Sequence, residues 1–236
     1  MGTRHLIVVV YRGRWWIAQY GQWDGYPDVV GFQLVGILAA PGFPDELRAG
    51  LPHTYEPDEN TLRHLLDDAQ EASQILDHLP AFDPATQELR DSQFQVFRRD
   101  PLNHYAPELL DMVPSVHRDT SAAVLVLAAR ATAEKPLPLQ LQPEFANDGL
   151  FCEWSYVVDL DADLLEVYEG ASRKTPGHRF ANVGPENASV PTFITSVPFT
   201  RLNTYRDDRG AFVAMINEEI DAINRRRAES RQALDE

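Results

Sequence analysis

The sequence predicts an α+β protein, a single domain over residues 1–236 with an antiparallel sheet built from two hairpins and covered by helices. Three observations carry that expectation. Residues 6–11 and 15–20 are β-branched or aromatic runs separated by Arg12-Gly13-Arg14, a hairpin pattern. Trp154, Tyr156 and Val158 alternate with Glu153, Ser155 and Val157, and an aspartate-rich turn leads into Leu165-Glu166-Val167, a second hairpin. Elsewhere apolar residues recur at helical spacing.

The helices follow in order. Pro27 and Asp28 can start one that runs to about residue 40, with Val30, Leu34, Ile37 and Leu38 on one stripe and Pro41-Gly42-Phe43-Pro44 as its stop. Over 58–79, Leu62, Leu65, Leu66, Ala69, Ala72, Leu76 and Leu79 repeat at helical spacing behind Asp58 as N-cap. Residues 81–114 are broken by prolines and read as short helices and loops. Residues 121–133 fit a buried helix or a strand, and their alanine content favours helix. Residues 171–200 read as a long excursion of Gly, Pro, Asn and Ser. A last helix is expected at 211–227, where Arg225, Arg226 and Arg227 suit the negative end of the helix dipole.

Composition narrows the function classes. No apolar run approaches the roughly 20 residues of a membrane helix, and the single cysteine, Cys152, excludes an internal disulfide framework. A cytoplasmic protein is expected. A net charge of −15 argues against a broad nucleic-acid footprint and is compatible with a small cationic substrate. There is no GxxxxGK cradle, no GxGxxG after a strand, no GxSxG elbow and no HExxH or CxxC, so neither cofactor nor metal is expected. Asp159, Asp161 and Asp163 lack the glycine and distal glutamate of a calcium loop and read as a solvated hairpin tip.

The candidate chemistry gathers at the start of the chain. Gly21-Gln22-Trp23-Asp24-Gly25-Tyr26-Pro27 places two aromatics, an amide and a carboxylate on one loop, where small polar residues would suffice for a turn. Asp24 can recognise a cation or act as a base, with Trp23 and Tyr26 as an aromatic wall that stacks on a guanidinium and Gln22 lining the same pocket. The competing view is an ordinary Asp-Gly turn with Trp23 as a core anchor. Arg4 can clamp a carboxylate or orient a carbonyl, and His5 can transfer a proton, although an interior histidine with satisfied bonds is the commoner outcome. Glu153, next to Trp154, can face the same recess as Asp24, so that two carboxylates divide acid and base roles. Cys152 beside Glu153 reads as a buried, inert thiol. An N-terminal-nucleophile hydrolase would need Thr3 exposed by loss of both Met1 and Gly2.

Met1-Gly2-Thr3-Arg4, Ala18-Gln19-Tyr20-Gly21-Gln22-Trp23-Asp24-Gly25-Tyr26-Pro27 and Cys152-Glu153-Trp154-Ser155-Tyr156-Val157-Val158-Asp159 together resemble a family of small proteins abundant in fungi, with bacterial and phage relatives. Those proteins begin MGTR and carry an AQYGQWDGYP-like loop and a CEW-x-YVVDLD hairpin. The blocks leave the middle of the chain uncovered. Through them the chain looks like a relative of the fungal arginine-containing cyclodipeptide synthases of secondary metabolism. That resemblance implies a transferase that joins arginine to a second amino acid, drawing on aminoacyl-tRNA, and it assigns no catalytic residue. Basic ground for a tRNA would come from Arg173-Lys174 with His178-Arg179, from Arg98-Arg99, or from Arg225-Arg226-Arg227 with Arg231. A non-catalytic protein gripping a partner through the aromatic loop is the rival expectation.

Overall fold

Strand β1 (His5–Tyr11) is buried along nearly its whole length and has a neighbour on each side. Strand β2 (Arg14–Gly21) returns antiparallel to it, with His5 opposite Gly21 and Val8 opposite Ala18. The turn between them holds both Arg12 (φ 53°) and Gly13 (φ 68°) in the left-handed region, as a two-residue hairpin of right-handed twist requires. The computed structural model describes residues 2–78, 114–115, 120–184 and 189–235, with backbone alone for 70–78 and 234–235. The short helices and loops expected over 81–114 lie outside those residues, Pro114 apart.

The second hairpin forms as expected from strands β5 (Trp154–Asp159) and β6 (Leu164–Ser172), antiparallel with Trp154 opposite Glu169. The two hairpins join through β1 and β5, which run parallel: His5 pairs with Trp154, Ile7 with Tyr156 and Val10 with Asp159. The sheet is therefore mixed at its centre where antiparallel pairing throughout was expected. A parallel neighbour demands a long crossover, and the helical region between β2 and β5 supplies it. Strand β7 (Val190–Pro198) completes the order β2-β1-β5-β6-β7. It occupies part of the stretch read as a loop excursion. Its prolines lie at or next to its ends, positions an edge strand tolerates.

Helices cover one face. The expected first helix begins as a π-type turn, Pro27–Gly31, and continues as α1 (Phe32–Leu38). Pro41-Gly42-Phe43-Pro44 does stop it, but Gly42 at φ 80° and Pro44 in the first turn also start α2 (Phe43–Gly50), which the sequence reading missed. The short strands β3 (Thr54–Tyr55) and β4 (Leu137–Pro138) pair with each other. Helix α3 (Glu59–His78) is capped by Asp58, which accepts from Thr61 N at 2.7 Å. Helix α4 (Ala123–Ala129) settles the helix-or-strand question for the alanine-rich segment. After the single turn α5 (Phe199–Leu202), helix α6 runs over Arg209–Asp235, capped by Asp208. It is longer than expected, so Arg225, Arg226 and Arg227 sit more than two turns from its end and do not serve its dipole.

Alternation along the strands sorts the core in two. Ile7, Val9, Ile17, Tyr156, Val158 and Leu165 face the helices together with Leu34, Leu125 and Phe212. Leu6, Val8, Ala18, Val157 and Tyr168 face the other way, beneath Ala146, Cys152 and Phe180 of two loops. Asn147 joins those loops by donating to the Phe180 and Val183 carbonyls at 3.0 and 2.7 Å. Beside them Arg179 donates to Glu166 Oε2 at 2.7 Å and to Asp159 Oδ2 at 2.6 Å, and the Tyr168 hydroxyl donates to Glu166 at 2.6 Å. Burial opposes the Arg179 charge, but these carboxylates more than offset it and hold its proton above the ordinary arginine value. Asp159 is thus buried and committed, not part of a solvated tip. Asp161 and Asp163 are exposed, as a solvated tip implies, though each has a partner: Asp161 accepts from Arg12 N and Gly13 N, and Asp163 pairs with Arg48.

Replacing Arg179 with Met leaves two nearly buried carboxylates without their cation. The expected cost is about 3 kcal/mol, read as a lower urea midpoint at unchanged slope. Adding Glu166→Gln should recover part of it.

Candidate functional site

His5 is completely buried at the start of β1, on the helix-facing side of the sheet. Alternation places it with Ile7 and Val9, yet it is polar. Its Nε2 lies 2.9 Å from the hydroxyl of Ser121, which is 116 residues away in sequence. Two glycines make room for the ring. A β-carbon at Gly21 would fall 2.1 Å from His5 Cε1, and one at Gly25 would fall 2.8 Å from His5 Cβ. These contacts explain two glycines of the aromatic loop: the backbone closes over an imidazole. Burial lowers the His5 pKa to about 4, with only partial compensation from the Thr3 carbonyl beside it. Nδ1 completes no hydrogen bond among the described residues.

The aromatic loop is tied down from the sheet. Tyr156, fully buried on β5, donates its hydroxyl to the Gly25 carbonyl at 2.7 Å, and Gly25 N donates to the Thr3 carbonyl at 3.0 Å. Burial holds the Tyr156 phenol well above its ordinary pKa, so it remains a donor. Asp24 adopts φ 54° and Ser121 φ 41°, both left-handed conformations uncommon for such residues. Strained residues of this kind persist where surrounding structure forces them, and they gather at functional sites.

A cleft of about 670 Å³ opens between the loop and helix α4. Trp23, Asp24, Thr120 and Ser121 supply its polar and aromatic lining, and Val30, Ile37 and Val126 its apolar lining. The π-type turn contributes Val29 and Val30, a distortion often met at functional sites. The cleft thus offers an exposed carboxylate, an indole that is 42% exposed, and a hydroxyl bonded to a neutral imidazole.

Of the residues singled out from sequence, the structure brings Trp23 and Asp24 to this cleft and sets His5, fully buried, behind it in contact with Ser121. It does not bring the others. Glu153 is exposed, lies one residue before β5 and does not line the cleft with Asp24, so the two-carboxylate recess does not form there. Arg4, one residue before β1, lies over the Phe151 ring at 4.7 Å and does not line the cleft. Trp154 is core, beside Tyr156 with ring centroids 6.5 Å apart. Gln22 accepts from the Tyr20 hydroxyl at 2.5 Å, and Tyr26 is 48% exposed outside the cleft lining. Thr3 is buried and does not line the cleft. Cys152 is the inert thiol expected, its pKa pushed up to about 12 by burial. Sequence reasoning missed Ser121. A serine ahead of an alanine-rich helix is an ordinary helix-start residue, and nothing local marks its distant partner.

A second concavity of about 920 Å³ lies between the β6–β7 edge and α6, where Arg173 meets Arg226, Arg227 and Arg231. Two of the basic segments noted in the sequence therefore converge. Arg179 is withdrawn from them into its carboxylate network, and Lys174 and His178 line a separate hollow. Among the described residues no helix is long and apolar enough to cross a membrane.

Comparison with protein-family models, with curated proteins and with solved structures finds no match to this chain.

Because the folded chain resists protonating His5 and the unfolded chain does not, the unfolded state binds the extra proton between about 6.5 and about 4. Stability should therefore fall as pH drops through that window and level off below it, by about 3 kcal/mol. In His5→Gln this contribution disappears, so the pH dependence of its urea midpoint should be flatter than that of the wild type.

Proposed function

We propose that this chain is an enzyme of acyl transfer acting on a cationic, arginine-like amino acid, in the manner of tRNA-dependent cyclodipeptide synthesis. The observation that carries the reading is the presence, in one cleft, of a carboxylate and an indole together with a hydroxyl bonded to a buried neutral histidine. In this reading Asp24 takes the guanidinium in a charge-assisted hydrogen bond and Trp23 stacks on its plane. His5 moves the proton by way of the Ser121 hydroxyl. Glu153 and Arg4 have no part, because neither lines the cleft. The groove of Arg173, Arg226, Arg227 and Arg231 supports an RNA-borne substrate: it concentrates positive charge on a protein whose net charge is −15.

A rival reading rests on the exposure of Trp23 and Tyr26, which suits a non-catalytic loop that grips a partner. Expression in a bacterium, with the medium searched for new arginine-containing diketopiperazines, separates the two. Product is expected from the wild type. Asp24→Asn should lower kcat/KM for the arginine donor by about 10- to 100-fold, the worth of a hydrogen bond to a charged group, whereas Glu153→Gln should leave it unchanged. No product from wild type, or full activity in Asp24→Asn, defeats the assignment.

If the acyl donor is carried on tRNA, joint replacement of Arg226, Arg227 and Arg231 by Gln should raise KM for it and reduce the steepness of its salt dependence. Measured turnover at saturating donor should change little.

A further inference from the structure

We infer that the outer edge of β7 and the stripe of α6 beside it form a docking groove for an extended acidic peptide, which joins the five-stranded sheet as a sixth strand. The inference goes beyond the proposed function and does not rest on it. A peptide in this groove occupies the arginines assigned there to an RNA-borne donor, so such a partner acts as a competitor of that donor.

A sheet edge presents unpaired backbone donors and acceptors, and proteins usually cover it or place charge on it. At one edge of this sheet β2 carries Arg14, and its Ala18 carbonyl accepts from Gln142 N at 3.0 Å. At the other edge β7 has a neighbour on one side only, and none of its nine residues is charged. Phe193, Ile194, Thr195 and Ser196 all line the concavity of about 920 Å³. Side chains alternate along a strand, so what four consecutive residues share is its backbone edge, and that edge faces the groove. The register against β6 skips Ile194, which divides the regular edge into 190–193 and 195–198 and suits a short peptide.

Helix α6 contributes Glu219, Ile223, Arg226, Arg227, Ser230 and Arg231, which recur every three or four residues and so form one stripe. That stripe extends for about 18 Å, the length of about five or six residues of strand. Arg227 donates to Thr192 Oγ1 at 3.2 Å, so the stripe lies against β7.

Charge selects the occupant. Arg173, Arg226, Arg227 and Arg231 meet in the groove, and none of them forms an ion pair among the described residues. Carboxylates on an incoming strand would supply the missing partners. A second copy of this chain fits poorly, because pairing β7 with β7 would set two arginine stripes together on chains that each carry −15.

Phe193 adds the apolar half of the specificity. It is 45% exposed and packs on Tyr168, with ring centroids 5.4 Å apart, on the side of the sheet away from the helices. Thr192, which meets Arg227, and Ile194, in the helix-facing cluster, lie on the other side. An added strand therefore meets the arginines with one set of alternate side chains and Phe193 with the other. The partner is a segment in which acids alternate with aromatic or β-branched residues.

The test uses the full-length protein and a fluorescein-labelled octapeptide in which Glu alternates with Val and Phe, read by fluorescence polarisation. Saturable binding is expected, and a peptide of the same composition with its acids grouped at one end should bind at least about tenfold more weakly. Two further peptides carry N-methyl groups, one on every Glu and the other on every Val and Phe. Successive N–H groups of a strand point to opposite edges, so one of these should lose binding and the other keep it. Joint replacement of Arg226, Arg227 and Arg231 by Gln should weaken binding by at least about tenfold at low salt and flatten its salt dependence. Phe193→Ala should weaken it by about two- to fivefold. No binding by the alternating peptide, equal binding by the grouped-acid peptide, or equal binding by the two N-methylated peptides overturns the inference. So does an RNA oligonucleotide that binds through these three arginines and is not displaced by the peptide, or a dimer in sedimentation that Phe193→Lys converts to monomer. Peptide binding by a protein that makes no arginine-containing product sustains the groove and removes the proposed function alone.

Discussion

The parallel pairing of β1 with β5 is the constraint on which the rest of the molecule depends. It sets His5 beside Trp154 and Ile7 beside Tyr156, and it makes both strands interior to the sheet. Strands in that position are covered on both faces, which is why Leu6-Ile7-Val8-Val9-Val10 and Tyr156-Val157-Val158 are nearly continuous apolar runs. From the same register Tyr156 reaches the Gly25 carbonyl and anchors the aromatic loop from beneath. The loop could not otherwise present Trp23 and Asp24 at one defined place.

The cleft shows where local preferences yield. A histidine occupies a core position, two residues outside glycine stand in left-handed conformations, and a π-type turn lines one wall. Each of these is unfavourable alone. Together they surround one hydroxyl, and the neighbouring sheet and helices supply the burial that keeps them in place. At position 5 the imidazole holds the Ser121 hydroxyl with one nitrogen and leaves the other without a bond, in a place where the surrounding core is apolar.

Charge is arranged by the same logic. The chain is strongly acidic overall, yet Arg173, Arg226, Arg227 and Arg231 meet in one groove. Arg179, only a few residues from Arg173, is committed to Glu166 and Asp159 instead. Neighbouring arginines in sequence therefore do different things: one neutralises buried carboxylates and the others face solvent. Their spacing along the chain does not distinguish them.

Both hairpins, the existence of a last helix, the cap at Asp58 and the inert character of Cys152 were legible in the residues, because alternation, capping and burial are properties of short segments. The aromatic loop was also legible as a place of interest, and Trp23 and Asp24 do line the cleft. The parallel junction, the edge strand β7 and the restart at α2 were not. Glu153 does not join Asp24 at the cleft, since it lies just ahead of β5 and the register of that strand against β1 is not written in its neighbours. Ser121 was invisible for the deeper reason that its partner lies 116 residues away. The sequence by itself determined which segments could become strands, helices and turns. Only the tertiary structure decided which of them touch, since contact between distant segments depends on how the whole chain closes around its core.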